Sequence, residues 1–372
     1  MKKLISRRVF FAAGACLTIA ICLLAAGCGK PDQKELKILC WIGYDEPDFL
    51  NLVKNETGLK VSAKTFVGGD EMYSLLRQNP NYFDVVVVDP EYVEKLSKED
   101  LITPLPKEKF DFSEYFPSFR HFPLCYDTNN NLRAVLVRFG VNGLLYNTNH
   151  VSAAEAESYK ILWDPKLKGR VLLFDWYLPN MGVLSRVAGN PDPYNITDTQ
   201  FAEIKSSLTN LRPQVKAMQS SFADMITALA NEEVWVQPTA GETLASILQG
   251  MGKPIDWTVP KEGAIMWCET LAIPKGAKNP EGAVRFIEFM QTAKAQASLA
   301  RRKAYIGSVP NSKAYLLLTD AEKNVLKIHN EAEAEALVAK LSVRNLPRQQ
   351  KESEWQDAWE DLKANYPKSG SK

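Results

Sequence analysis

The chain has 372 residues, 45 Lys+Arg against 44 Asp+Glu, a formal net charge of +1 and 45% hydrophobic residues. That balance excludes the basic footprint of a nucleic-acid-binding protein, and the length exceeds one ordinary core, so two domains are expected. Three histidines (His121, His150, His329) and six cysteines occur without CxxC, HExxH or even close spacing, which excludes the usual sequence-encoded metal sites and disulfide frameworks.

At the N-terminus Lys2, Lys3, Arg7 and Arg8 precede a largely apolar, uncharged run from Val9 to Gly27, the layout of an export signal. The run ends in "LLAAGCGK", which resembles a lipobox. Residues 1–27 are therefore expected to be a lipoprotein-type signal peptide, with Cys28 the lipidated N-terminus and residues 28–35 a polar tether. A transmembrane anchor is the alternative, since a run of this length just spans a bilayer; the small residues before Cys28 favour cleavage. "SRRVFF" also resembles a twin-arginine signal, so the export route stays open. Cleavage leaves 41 Lys+Arg against 44 Asp+Glu, and Cys40, Cys125 and Cys268 as the other thiols, read as buried and free.

"LKILCW" then reads as a strand, "EPDFLNLVKNETG" as a helix closed by Gly58, and "LKVSAKTF" as a second strand. "FVGGDEMYSLL" follows. Its GGDEM letters approach the GGDEF signature of GTP-cyclising enzymes, but an exported chain is remote from GTP. The glycines free the strand-to-helix turn and Asp70 and Glu71 suit the positive end of a helix. "FDVVVVDP" has the continuous apolar pattern of a parallel strand covered on both faces. Strands alternating with helices mean an α/β fold. Further strands are expected in "GVNGLLYN", "GRVLLFD", "EEVWVQP" and "TLAIP". Helices are expected in "TQFAEIKSSLTNL", "GETLASILQGM" and "NPEGAVRFIEFMQ", the last with Ala283, Phe286, Ile287 and Met290 inward. In "EWQDAWEDLKANY", Trp355, Trp359, Leu362 and Tyr366 form one core-facing stripe.

The order of "WIGYDEPDFLNLVKNETGLKV", "YFDVVVVDPEYVEKLSKEDLITPL", "WDPKLKGRVLLFD", "KPIDWTVPKEGAIMWCETLAIPKGAKNPEGAVRFIEFM" and "IGSVPNSKAY" resembles the periplasmic spermidine/putrescine-binding proteins of ABC transporters, from about Leu36 to Pro367. The resemblance implies a two-lobe, periplasmic binding protein type II-like α/β fold joined by crossover segments. One lobe would comprise 36–140 plus 271–312 and the other 141–270 plus 313–372, closing on a ligand between them. Ligands of open α/β sheets sit beyond the carboxyl ends of strands, so those positions are the candidates.

Polyamines need carboxylates for their ammonium groups and aromatic faces for their methylenes. By the resemblance, Trp41 and Tyr44 match a W-x-x-Y after the first strand, and Trp267 and Glu269 match an aromatic and acidic pair. Asp89 and Glu91 fall at ligand-contact positions, Glu242 at an acid of putrescine-type members, and Phe139 at a cleft aromatic. One departure stands out: where spermidine-type members carry two acids, this chain has Trp176 and Pro179. Asp175 is an adjacent substitute, and Trp176 with Tyr177 would turn that pole into an aromatic wall. Arg138, beside Phe139, is a group a dication avoids.

The expected ligand is thus a polyamine or related organic cation, with a zwitterionic amine or amino acid as the alternative. No cofactor or metal is implied, and a membrane permease is the expected partner of a monomeric, lipid-anchored protein. No G-x-S-x-G elbow or Cys/His signature appears, so a binding protein is expected rather than an enzyme. A sensor subunit with the same lobes is the remaining reading.

Overall fold

The computed structural model describes residues 35–302 and 306–364. The expected signal peptide, all of the tether but Glu35, Cys28 and Tyr366 lie outside the described residues.

Strands β1 (Leu36–Cys40), β2 (Val61–Thr65) and β3 (Val85–Val88) run parallel, with β1 in the middle. All four valines of β3 are buried, as helices on both faces of a parallel sheet require. Helix Pro47–Thr57 starts on a proline and ends at Gly58, whose φ of 73° is the left-handed C-cap that glycine adopts at least cost. Helix Gly69–Gln78 opens within GGDEM. A Cβ on Gly69 would lie 2.2 Å from the Tyr92 ring, and Glu71 accepts the Val67 N–H at 2.7 Å. The motif is a helix start.

Two long strands carry the chain between regions. β4 (Val135–Asn147) and β9 (Ala264–Ala272) pair antiparallel from Val135↔Leu271 to Asn142↔Ile265. The end of β9 also pairs with β3, while its start pairs in parallel with β10 (Leu341–Val343). From Gly143 onward β4 instead pairs antiparallel with β7 (Val236–Ala240) and β8 (Ile255–Thr258). β7 continues in parallel to β5 (Val171–Phe174) and then β6 (Val215–Gln219). The result is a continuous mixed sheet, β2-β1-β3-β9-β4-β7-β5-β6.

The apolar core changes identity along β4: Phe139 belongs to one cluster, Val141 to a second and Leu144 to a third. The first covers β1, β3, the end of β9 and helix Pro280–Met290, where Ala283, Phe286, Ile287 and Met290 are all buried. Trp355, Trp359 and Leu362 of helix Glu352–Ala364 enter the cluster around Leu173 and Met181, which makes their stripe a packing face. Cys40, Cys125 and Cys268 are buried and free.

Element types agree with the sequence reading, but three strands differ in extent. β4 begins five residues before "GVNGLLYN" because "VLVRF" is wholly buried, Arg138 included. A charged residue inside an apolar run hides the strand. β9 likewise begins six residues before "TLAIP", through Trp267 and Glu269, and β7 lies later than "EEVWVQP", at Val236–Ala240.

Candidate functional site

A small, partly open cavity of about 70 Å³ lies where the clusters meet. Trp41, one residue past β1, and Asp89, one past β3, supply one side of it. Trp176, two past β5, and Thr239, near the end of β7, supply another, and Trp267 of β9 joins them. Carboxyl ends of parallel strands thus converge on one chamber, as open α/β sheets position ligands. Phe174, Phe222, Met225 and Leu244 give the apolar wall, and Gln237 and Thr243 add polar groups.

Trp41, Asp89, Trp176 and Trp267 are the sequence-selected residues that line the cavity. Trp41 Nε1 donates to Asp89 Oδ1 at 3.0 Å, which fixes the indole and the carboxylate relative to each other.

The other selected residues lie away from the lining. Tyr44 donates its hydroxyl proton to Glu269 Oε2 at 2.8 Å, and Arg138 Nη1 stands 3.8 Å from the same oxygen. Burial raises the Glu269 pKa while Arg138 and Tyr44 pull it back. Glu91 accepts from Arg344 Nε at 2.5 Å; burial pushes its pKa upward too, against the attraction of Arg344. Glu242 begins helix Glu242–Gly250 and accepts the Val141 N–H at 3.1 and 3.2 Å. Burial pushes its pKa up to about 8. Asp175 accepts from Trp359 Nε1 at 2.9 Å and pairs with Lys363 at 3.1 Å, so it ties down the last helix. Phe139 packs on Phe119 with ring centroids 4.6 Å apart.

Arg344 was not selected from sequence, yet it lines the cavity. Its N–H donates to Met266 O at 2.9 Å, one residue beyond the Val343↔Met266 pair, so β10 delivers it beside Trp267. The guanidinium carbon lies 4.2 Å from the Trp176 ring centroid, and Nη2 lies 3.1 Å from Asp89 Oδ2. A three-residue strand gives no periodicity to read, so no sequence signal announced it. Gln237 was also missed, although alternation along β7 places it on the same side as Thr239. Buried Gln237 Oε1 and Thr239 Oγ1 have no hydrogen-bond partner among the described residues. Acceptors left open in a cavity wall suit a ligand that brings N–H donors. No group of three or more His, Cys, Asp or Glu is placed to hold a metal among the described residues, nor is any of their helices long and apolar enough to cross a membrane.

Fold and cavity together define a solute-binding protein of the type II periplasmic binding class. The model of the bacterial extracellular solute-binding protein family matches residues 53–330, and the chain belongs to that family. It is 30% identical over 320 residues to the spermidine/putrescine-binding periplasmic protein of Escherichia coli (strain K12), covering 84% of this chain and 88% of that one. It is 25% identical over 294 residues to the putrescine-binding periplasmic protein PotF of the same organism, covering 75% and 77%. Its fold resembles that of the spermidine/putrescine ABC transporter substrate-binding protein PotD from Streptococcus pneumoniae, with a TM-score of 0.73 at 24% identity over 89% of this chain and 98% of that one.

Proposed function

We propose that the chain captures a polyamine or a related organic cation in this cavity and hands it to the permease of an ABC importer. The observation that carries the reading is the meeting of Trp41, Trp176 and Trp267 around one cavity with Asp89 in its wall. Indole faces attract ammonium groups by about 0.5–2 kcal/mol each, and a nearby carboxylate adds a charge-assisted hydrogen bond. The printed names of the relatives, spermidine/putrescine-binding and putrescine-binding, support the same class.

Two lobes, 36–140 plus 271–312 and 141–270 plus 313–372, would move about β4 and β9. A ligand that touches both binds the closed form better and shifts the population toward it. Closure would then expose a surface for the permease. The mature protein would be a monomer held to the membrane through lipid on Cys28, and its role would be binding without turnover.

Calorimetry on the chain lacking residues 1–27 tests this, with amines, betaines, amino acids and small anions as titrants. Saturable heat with at least one amine is expected, together with unchanged ligand recovered afterwards. Binding of anions alone would sink the reading.

A further inference from the structure

One cation already faces the aromatic wall of the cavity, and it belongs to the protein itself. Arg344 faces Trp176 at 4.2 Å and meets Asp89 at 3.1 Å and Glu91 at 2.5 Å. An aromatic face with two carboxylates is the arrangement expected for an organic cation, and here a guanidinium occupies it. The residue is 3% exposed, which makes it part of the site's wall and not a passing surface charge.

What remains for a ligand is limited in charge. The region contains four carboxyl groups, Asp89, Glu91, Glu242 and Glu269, and two guanidinium groups, Arg138 and Arg344. Each of the two guanidinium groups already stands beside a carboxylate, Arg344 beside Asp89 and Glu91 and Arg138 beside Glu269, and burial raises the pKa of all four acids, so little negative charge is left for a ligand. The open acceptors, Gln237 Oε1 and Thr239 Oγ1, are neutral and suit one N–H-bearing head.

We propose that Arg344 is a resident cation that sets the charge of the ligand: it holds the subsite of Trp176, Asp89 and Glu91, and the cavity beyond it accepts an amine with one ammonium group. This rests on the organic-cation reading and narrows it. A triamine would carry further ammonium groups into a wall whose carboxylate, Asp89, is already met by Trp41 and Arg344 and whose open acceptors are neutral, and burying an unpaired charge costs more than the rings return.

The test is calorimetry with N-acetylputrescine, putrescine and spermidine on the processed chain, on Arg344→Gln and on Arg344→Lys. N-acetylputrescine carries one ammonium group and is close to spermidine in length, so that pair compares charge at similar length, and putrescine gives the shorter dication. In the unmodified protein it is expected to bind at least tenfold tighter than spermidine. Arg344→Gln should move that ratio at least tenfold toward spermidine, because a ligand ammonium can then meet Asp89 and Glu91; Arg344→Lys should keep the original order. Spermidine binding as tightly as N-acetylputrescine to the unmodified protein overturns the inference while leaving the organic-cation reading intact. No binding of any of the three amines overturns both. Should Arg344→Gln fail to fold, the ranking in the unmodified protein decides alone.

Discussion

The Tyr44 hydroxyl and the Glu269 carboxylate, 225 residues apart in the chain, meet at 2.8 Å with both side chains buried. Tyr44→Phe keeps the ring and removes the donor, leaving Glu269 to Arg138 at 3.8 Å. A buried acceptor that loses its partner costs roughly 1–3 kcal/mol. Urea denaturation should show that loss with an unchanged slope. Glu269→Gln goes further, since it leaves the Arg138 charge, 5.8 Å from the Trp267 ring centroid, without this carboxylate to offset it. Amine affinity should fall at least tenfold, about 1.4 kcal/mol; unchanged affinity by calorimetry would detach Glu269 from ligand binding.

Gly140 is a backbone position on which the cavity depends. A Cβ there would stand 1.9 Å from Glu242 Oε1 and 2.2 Å from Trp267 Cζ2, so the carboxyl and the indole cannot both stay in place. Gly140→Ala should cost roughly 1–3 kcal/mol as an overpacked core does and weaken amine binding at least tenfold by moving Trp267. Gly69→Ala makes a useful contrast, because its clash is with Tyr92. It should destabilise by a similar amount while the affinity of the folded protein stays within about twofold, well under the 1.4 kcal/mol of a tenfold change.

These positions also show what the sequence made legible. The strands were readable because parallel strands covered on both faces must be apolar throughout, as "VVVV" is. Trp41, Asp89 and Trp176 were findable because the family resemblance marks their positions and they sit just past such strands, at the sheet's open end. The partners of the acids were not. Glu91 and Arg344 lie 253 residues apart, and neither carries a local mark that the other will arrive. Four acids near one cleft therefore read as a cation site from sequence, whereas in the fold Glu91 and Glu269 meet guanidinium groups and Glu242 meets a backbone N–H.

Fluorine NMR on protein labelled with 5-fluorotryptophan separates cavity indoles from core indoles. Trp41, Trp176 and Trp267 line the cavity, whereas Trp257 is buried with its Nε1 donating to Val325 O at 3.0 Å. A bound amine should shift the first three resonances and leave Trp257 unchanged. Single Trp→Phe variants assign the peaks. A titration that leaves Trp176 silent would mean that its ring serves Arg344 alone.

Glu242 makes stability depend on pH in a direction opposite to that of a salt-bridged acid. Burial raises its folded pKa from 4.5 to about 8, so between those values the native state holds a proton that the unfolded chain has released. Stability is then greatest below the unfolded value and falls as pH rises through the window, by up to about 1.4 kcal/mol per pH unit for one proton. Glu155 does not mask this: hydrogen bonding to Lys166 holds its pKa at about 2, so its contribution is complete above 4.5 and is lost only toward acid. The melting temperature of the processed chain should therefore fall between pH 5.5 and 8.5. Glu242→Gln keeps the shape without the ionisation and should lessen that fall, of which Glu91, its pKa raised to about 7, keeps a part, matching the unmodified protein near pH 5 and exceeding it at pH 8.5. An equal slope in the two proteins would show that Glu242 is ionised in its buried position and that the Val141 N–H meets a full negative charge.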